Sequence, residues 1–288
     1  MEMAEREKLE EAQRKMLETY RKEQERIDAS MRKIKHKILV MSGKGGVGKS
    51  TVTVNLAIAL AKRRGNGKIG ILDADITGPS IPKMLGIRSE KLSTGPAGVF
   101  PAIGPLGIRV VSMDFLLPSD ETPVIWRGPL KATAIRQFLG EVVWGELDYL
   151  LIDLPPGTGD EALTVIQSIP KVDGAIIVTI PSEVSELVVK KALGFAKRLG
   201  VPILGIVENM AGFLCPNCGA IHEVLRSGAG ERMAKEAGVK LLGKIPLDPR
   251  VSESSDLGVP LVDRYPDSPV AKIFEEIVLE VERQLGEA

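Results

Sequence analysis

The chain has 288 residues, 44% of them hydrophobic and 26% charged, with 38 Lys and Arg balancing 38 Asp and Glu. That length suits one large α/β domain or two small ones, and zero net charge gives no bulk electrostatic reason to expect nucleic acid or an anionic membrane as partner. The densely charged start lacks the apolar stretch of a secretory signal, no apolar run is long enough to cross a bilayer, and two cysteines are too few for a disulfide scaffold, so the expected compartment is the cytosol.

Residues 1–35 contain no Gly or Pro and are rich in Glu, Lys, Arg and Gln. Leu17, Tyr20, Gln24, Ile27, Met31 and Ile34 recur at spacings of three and four, a narrow stripe on a helix. The expectation is a charged helical extension that packs on the domain or frays; a coiled-coil contact would need more heptads. From residue 36 to 288 apolar strands alternate with amphipathic helices. Strands are predicted at 38–41, 69–72, 108–113, 149–152, 175–179, 203–207 and 241–245, and helices at 49–63, 130–143, 161–169, 183–198, 230–237 and 269–285. Most of the strands are continuous apolar runs, as expected when helices cover both sheet faces. The alternation predicts one doubly wound, mostly parallel α/β sheet with right-handed crossovers.

The first strand runs into Gly43-Lys44-Gly45-Gly46-Val47-Gly48-Lys49-Ser50-Thr51 and then a helical pattern. This is the G-x-x-x-x-G-K-[ST] phosphate loop in its proper strand–loop–helix setting. Glycines let backbone N–H groups curl round phosphate oxygens at a helix N-terminus. Lys49 is expected to reach the β- and γ-phosphates of ATP, Ser50 to ligate Mg²⁺, and Thr51 to bond the α-phosphate. Lys44, a second lysine just after the first glycine, marks the deviant form of the loop. Resemblance to the deviant-Walker class implies that Lys44 crosses a dimer to stabilise charge on the partner's nucleotide.

Two further strand ends carry acids, at Asp73-Ala74-Asp75 and at Asp153. Parallel strands deliver their C-terminal ends to one rim. Asp153 therefore reads as the Mg²⁺-holding acid, Asp73 as a group near that metal, and Asp75 as the acid that positions the attacking water; turn or helix-capping aspartates are the plainer alternatives. Pro155 to Asp160 would form a stiff loop responsive to the γ-phosphate. Asn209, at a late strand end, offers an amide that can pair with adenine. Pro246 and Asp248 could complete a purine pocket, although a turn asparagine and a capping aspartate would look the same.

Cys215-Pro216-Asn217-Cys218 follows that strand. Two thiolates two residues apart reach one metal, and a closed site of four needs two chains. A bridging iron–sulfur cluster, a bridging structural zinc and a redox pair all remain open here; the redox reading is weakest because the pair does not start an early helix. His222 lies close enough to complete a Cys-rich site, but reads more simply as a surface imidazole.

Taken together, Gly43 to Thr51, Asp73-Ala74-Asp75-Ile76-Thr77-Gly78-Pro79-Ser80, Trp126-Arg127-Gly128-Pro129, Asp153 to Asp160 and the Cys215/Cys218 pair resemble the Mrp/ApbC-type iron–sulfur cluster carrier ATPases, within the MinD/ParA-like superfamily. The resemblance runs from about residue 37 onward. It implies a homodimer holding a transient [4Fe–4S] cluster on Cys215 and Cys218 of each subunit. That cluster would pass to apo-proteins, with a scaffold as possible donor, under control of ATP binding or slow hydrolysis. Eukaryotic cytosolic relatives carry an N-terminal cysteine cluster; this sequence has no cysteine there, so a second stable cluster is not expected. Two other functions share the loop. A partitioning or septum-positioning ATPase would want a basic patch or a C-terminal amphipathic anchor, and the segment 273–285 is acidic, with Glu275, Glu276, Glu280 and Glu282. A zinc-stapled regulatory ATPase would differ only in its metal.

Overall fold

The computed structural model describes residues 2–117, 128–223 and 228–287. Its strands are β1 (Ile34–Ser42), β2 (Ile69–Asp73), β3 (Ser93–Gly95), β4 (Gly98–Phe100), β5 (Ala102–Ile103) and β6 (Arg109–Ser112), followed by β7 (Leu147–Asp153), β8 (Gly174–Thr179), β9 (Ile203–Leu214), β10 (Ile221–His222) and β11 (Leu241–Leu247). Helices are α1 (Glu2–Met31), α2 (Lys49–Arg64), α3 (Ile81–Met84), α4 (Gly128–Gly140) and α5 (Asp160–Ser168), then α6 (Glu183–Arg198), α7 (Ala229–Ala237), α8 (Pro249–Leu257), α9 (Leu261–Arg264) and α10 (Pro269–Gln284).

The main sheet runs β10-β9-β8-β1-β7-β2-β6-β5, with β11 also paired to β9. Pairings from β9 through β6 are parallel, as is β11 with β9, while β5 and β10 are antiparallel. Alternation of side chains along a strand divides the core in two. On β1 and β7, Ile38, Val40, Tyr149 and Leu151 pack with α2 and α10 on one face. Leu39, Met41, Leu150 and Ile152 pack with α1, α4 and α5 on the other. Fully buried apolar strands covered on both faces give the three-layer arrangement that the continuous hydrophobic runs predict.

The seven predicted strands are all present, and β1 starts earlier and β9 ends later than expected. The hairpin β3–β4 and the two-residue strands β5 and β10 are additions, too short for a period-two signal. Helices α3, α8 and α9 are also additions. For α8 a cue existed: Asp248 accepts from Arg250 N at 3.0 Å and Pro249 follows in the first turn, the usual cap-then-proline start.

The last turns of α1 lie on α4. Ile27 and Met31 are buried, and a methyl group at Gly140 would sit 3.0 Å from Ile27 Cγ1. Arg136 binds Glu23 at 2.8 Å and lies over the Tyr20 ring. Earlier in the helix Met16 and Leu17 are exposed. At the other terminus, α10 buries Phe274, Ile277, Val278 and Val281, and its acidic Glu282 is fully buried between Arg63 and Arg64.

Candidate nucleotide and metal sites

The phosphate loop leaves the end of β1, at the centre of the sheet. Gly46 and Gly48 have φ of 76° and 81°, a region that side chains rarely adopt. Gly43 has no such backbone need; a Cβ there would lie 2.5 Å from the Val188 carbonyl of α6. The loop is braced from outside. Asn209 Nδ2 donates to Val47 O at 2.9 Å, and Gly157 N donates to Ser42 O at 3.0 Å.

Asp153 ends β7 and is completely buried. Its Oδ2 accepts from Lys49 Nζ and from Ser50 Oγ, each at 2.6 Å, and its Oδ1 accepts from Thr53 Oγ1 at 2.6 Å. Asp73 stands opposite Asp153 in the β2–β7 register. Ser112 Oγ donates to Asp73 Oδ2 at 3.0 Å, and Asp75 N to its Oδ1 at 3.3 Å. Burial, and then the charge of Asp153, push the Asp73 carboxyl up to about 8, against the pull of Lys49 and Ser112. Asp75 is half-buried beside the loop and accepts from Thr77 Oγ1 at 3.1 Å and Gly78 N at 3.2 Å.

Two adjoining cavities share this rim. One, of about 200 Å³, is lined by the loop from Lys44 to Thr51 together with Asp75. The other, of about 490 Å³, shares Gly48, Thr51 and Met84 with it and adds Asn209, Phe213 and Pro246. Its walls are mainly apolar, and Leu247, Asp248 and Val251 also contribute. The dimensions and lining suit phosphates in the first and a purine in the second. Asn209 thus stands in the base cavity while its amide nitrogen is held by the loop. Asp248 lines the same cavity as the cap of α8 and pairs with Arg250 at 2.7 Å. Met210 next to Asn209 has φ of 58°, an uncommon conformation for a side chain. Two carboxylates in register, with Ser50 beside them, form an oxygen donor set suited to a hard divalent cation. Thr53 and Ser112 were not picked out from the sequence; Ser112 ends a rim strand, which was the available signal. Trp126 and Arg127 lie outside the described residues.

The cysteine pair occupies the turn between β9 and β10. Cys215 N donates to Ala220 O and Gly219 N to Cys215 O, both at 2.9 Å. Backbone N–H groups of Cys218 and Asn217 lower the Cys215 thiol below its ordinary value. Cys215 is half-buried, Cys218 exposed, and their sulfurs lie with a His222 ring nitrogen in a group whose donors are within 4.8 Å of one another. Because β9 is parallel to its neighbours and longer, this turn is on the same side of the sheet as the phosphate loop.

Residues 33–282 match the family described as ParA: NUBPL iron-transfer P-loop NTPase. The chain belongs to this family. Relatives named iron–sulfur cluster carrier protein include one from Methanocaldococcus jannaschii, 58% identical over 89% of this chain and 89% of that protein. Another, from Saccharolobus solfataricus, is 55% identical over 88% and 84%. Among solved structures, a nucleotide-binding protein from Archaeoglobus fulgidus in complex with ADP, with Co found by PIXE, is 44% identical. It aligns with a TM-score of 0.75 over 87% of this chain and 96% of that one. The cell-division ATPase MinD of Pyrococcus furiosus is 26% identical with a TM-score of 0.65, over 86% and 99%. This family member is therefore a P-loop NTPase with the doubly wound sheet expected of one.

Proposed function

We propose that the protein is an ATP-dependent iron–sulfur cluster carrier, working as a homodimer in the cytosol. Its cargo is a [4Fe–4S] cluster bridged by Cys215 and Cys218 of the two subunits, delivered to apo-proteins. The observation that carries this reading is the placement of the cysteine turn and the phosphate loop on one sheet rim, joined by β9. Support also comes from the relatives named as cluster carriers and from the ADP complex of the related structure.

In this reading Lys49 holds the β- and γ-phosphates, Thr51 the α-phosphate, and the turn at Gly43–Gly48 supplies backbone donors. Mg²⁺ would be held by Ser50, with Asp153 and Asp73 close by; it supplies charge neutralisation of the phosphates. Asp75 orients the attacking water, and Lys44 reaches the partner's nucleotide. Asn209, Pro246 and Asp248 line the adenine. Hydrolysis is slow, as suits a switch.

Coupling has a physical route along β9. Asn209 grips the phosphate loop through Val47, Phe213 lines the base cavity, and Cys215 follows two residues later. A nucleotide that moves either contact moves the cysteine turn. The apolar face of α10 is occupied by the core, which disfavours the membrane-positioning alternative.

Transfer to a recipient tests the proposal. Protein loaded anaerobically and mixed with an apo-enzyme that needs a [4Fe–4S] cluster should restore its activity, and the Cys215→Ala/Cys218→Ala double variant should not, while still binding ATP. Equal restoration by the double variant would refute it.

A further inference from the structure

We propose that each protomer carries a three-ligand site for one soft divalent metal ion, made by Cys215 Sγ, Cys218 Sγ and a ring nitrogen of His222, with a fourth position open. This rests on reading the cysteines as metal ligands, and adds a third donor and a mononuclear state that needs no second subunit.

The hairpin builds the trio. The Cys215–Ala220 turn is closed by its two backbone hydrogen bonds, with Gly219 at φ 72°. The strand β10 then returns along β9, pairing Ile221 with Leu214 and His222 with Phe213. At Gly212, φ is 86° and a Cβ would lie 2.8 Å from Ile221 Cγ2, so the glycine lets β10 pack this close. The return brings the imidazole back to the sulfurs, all three donors within 4.8 Å of one another. A tetrahedral ion with bonds of about 2.3 Å to sulfur and about 2.0 Å to nitrogen spaces two sulfurs and one nitrogen by roughly 3.5–3.8 Å. Rotations of three exposed or half-buried side chains cover that difference.

Donor chemistry selects the ion. Thiolate and imidazole suit Zn²⁺ and Fe²⁺, whereas Mg²⁺ wants oxygen. Two thiolates and a neutral imidazole cancel the charge of the dication. Three protein ligands with an open position are the pattern of sites that exchange their fourth ligand, in contrast to closed four-ligand structural zinc. In a four-thiolate dimer His222 is not needed, so the two states differ in stoichiometry.

Co²⁺ serves as the probe, titrated without oxygen into the full-length metal-free chain, with visible absorption for coordination and light scattering for mass. The expected result is one Co²⁺ per chain whether the mass is that of a monomer or a dimer, with tetrahedral bands and two-thiolate charge-transfer intensity. His222→Ala should bind at least about 10-fold more weakly, a loss as large as that from removing an outer-shell partner, or fall to one Co²⁺ per two chains. His222→Cys should restore one per chain. The inference is overturned if the wild type takes one Co²⁺ per two chains with four-thiolate intensity, or if His222→Ala binds as the wild type does. Cluster loading, measured on the same preparations, separates the two ideas. Loading that succeeds while His222→Ala leaves Co²⁺ binding unchanged overturns the inference and keeps the carrier reading. One Co²⁺ per chain held through His222, in a protein that never loads a cluster, supports the inference and removes the carrier reading.

Discussion

Asp153 takes three hydrogen bonds, from Lys49, Ser50 and Thr53, in a place with no access to solvent. Its neighbour Asp73 is buried and faces the Asp153 charge, which together outweigh Lys49 and the Ser112 hydroxyl and push its carboxyl up to about 8. The folded protein holds a proton there that the unfolded chain releases, so stability should fall as pH rises from the ordinary carboxylate range to about 8. Urea melts of the nucleotide-free, Mg²⁺-free protein across this window should show the decline, and Asp73→Asn should flatten it; an unchanged slope in the variant would refute the assignment. Lys49→Ala removes charged contacts worth about 1.5–3 kcal/mol, so ATP affinity measured by calorimetry should drop roughly 10- to 100-fold. Asp75→Ala should bind ATP normally and hydrolyse it about 100-fold more slowly or worse; wild-type turnover would remove Asp75 from its role. The acids were legible in the sequence because apolar strands end on them. What was not legible is their partnership: that Asp73 faces Asp153 follows from β2 pairing with β7, a register set by tertiary packing. Asn209 was legible only by type, and its bond to the Val47 carbonyl depends on how β9 lies against the loop.

At the scale of elements, α1 is two different things along its length. Its first turns carry i,i+4 ion pairs such as Arg6–Glu10 and Lys15–Glu11, each worth a few tenths of a kcal/mol on an exposed helix. Its last turns are fixed by Ile27 and Met31 against α4 and by Arg136 against Glu23 and Tyr20. The three–four stripe in the sequence marked the apolar face but not where burial begins, because exposed Leu17 and buried Ile27 share the stripe. Ile27→Ala should cost about 2–5 kcal/mol, read as a lower urea midpoint. An unchanged midpoint would mean that α1 does not dock in solution. Long strands and helices were predictable because their patterns repeat; β10 has two residues and exists because the turn before it closes, yet it decides where His222 stands.

For the whole molecule, one sheet rim carries everything that the proposed function uses. The ends of β1, β2 and β7 gather the phosphate loop and the acids, and β9 runs on past them to the cysteine turn. Family membership and the doubly wound sheet were both foreshadowed by motif order. The continuity of nucleotide site and cysteine turn through β9 was not, since a sequence shows Asn209 and Cys215 as neighbours without showing that one grips the phosphate loop.

Anaerobic reconstitution with iron and sulfide, with the visible spectrum and iron and zinc counts per dimer, tests the carrier account most directly. The account predicts a broad charge-transfer band near ~400 nm with roughly four irons per dimer, both lost in the Cys215→Ala/Cys218→Ala variant. A colourless protein with about one zinc per dimer, retained after reconstitution, would contradict it and leave an ATPase stapled by zinc.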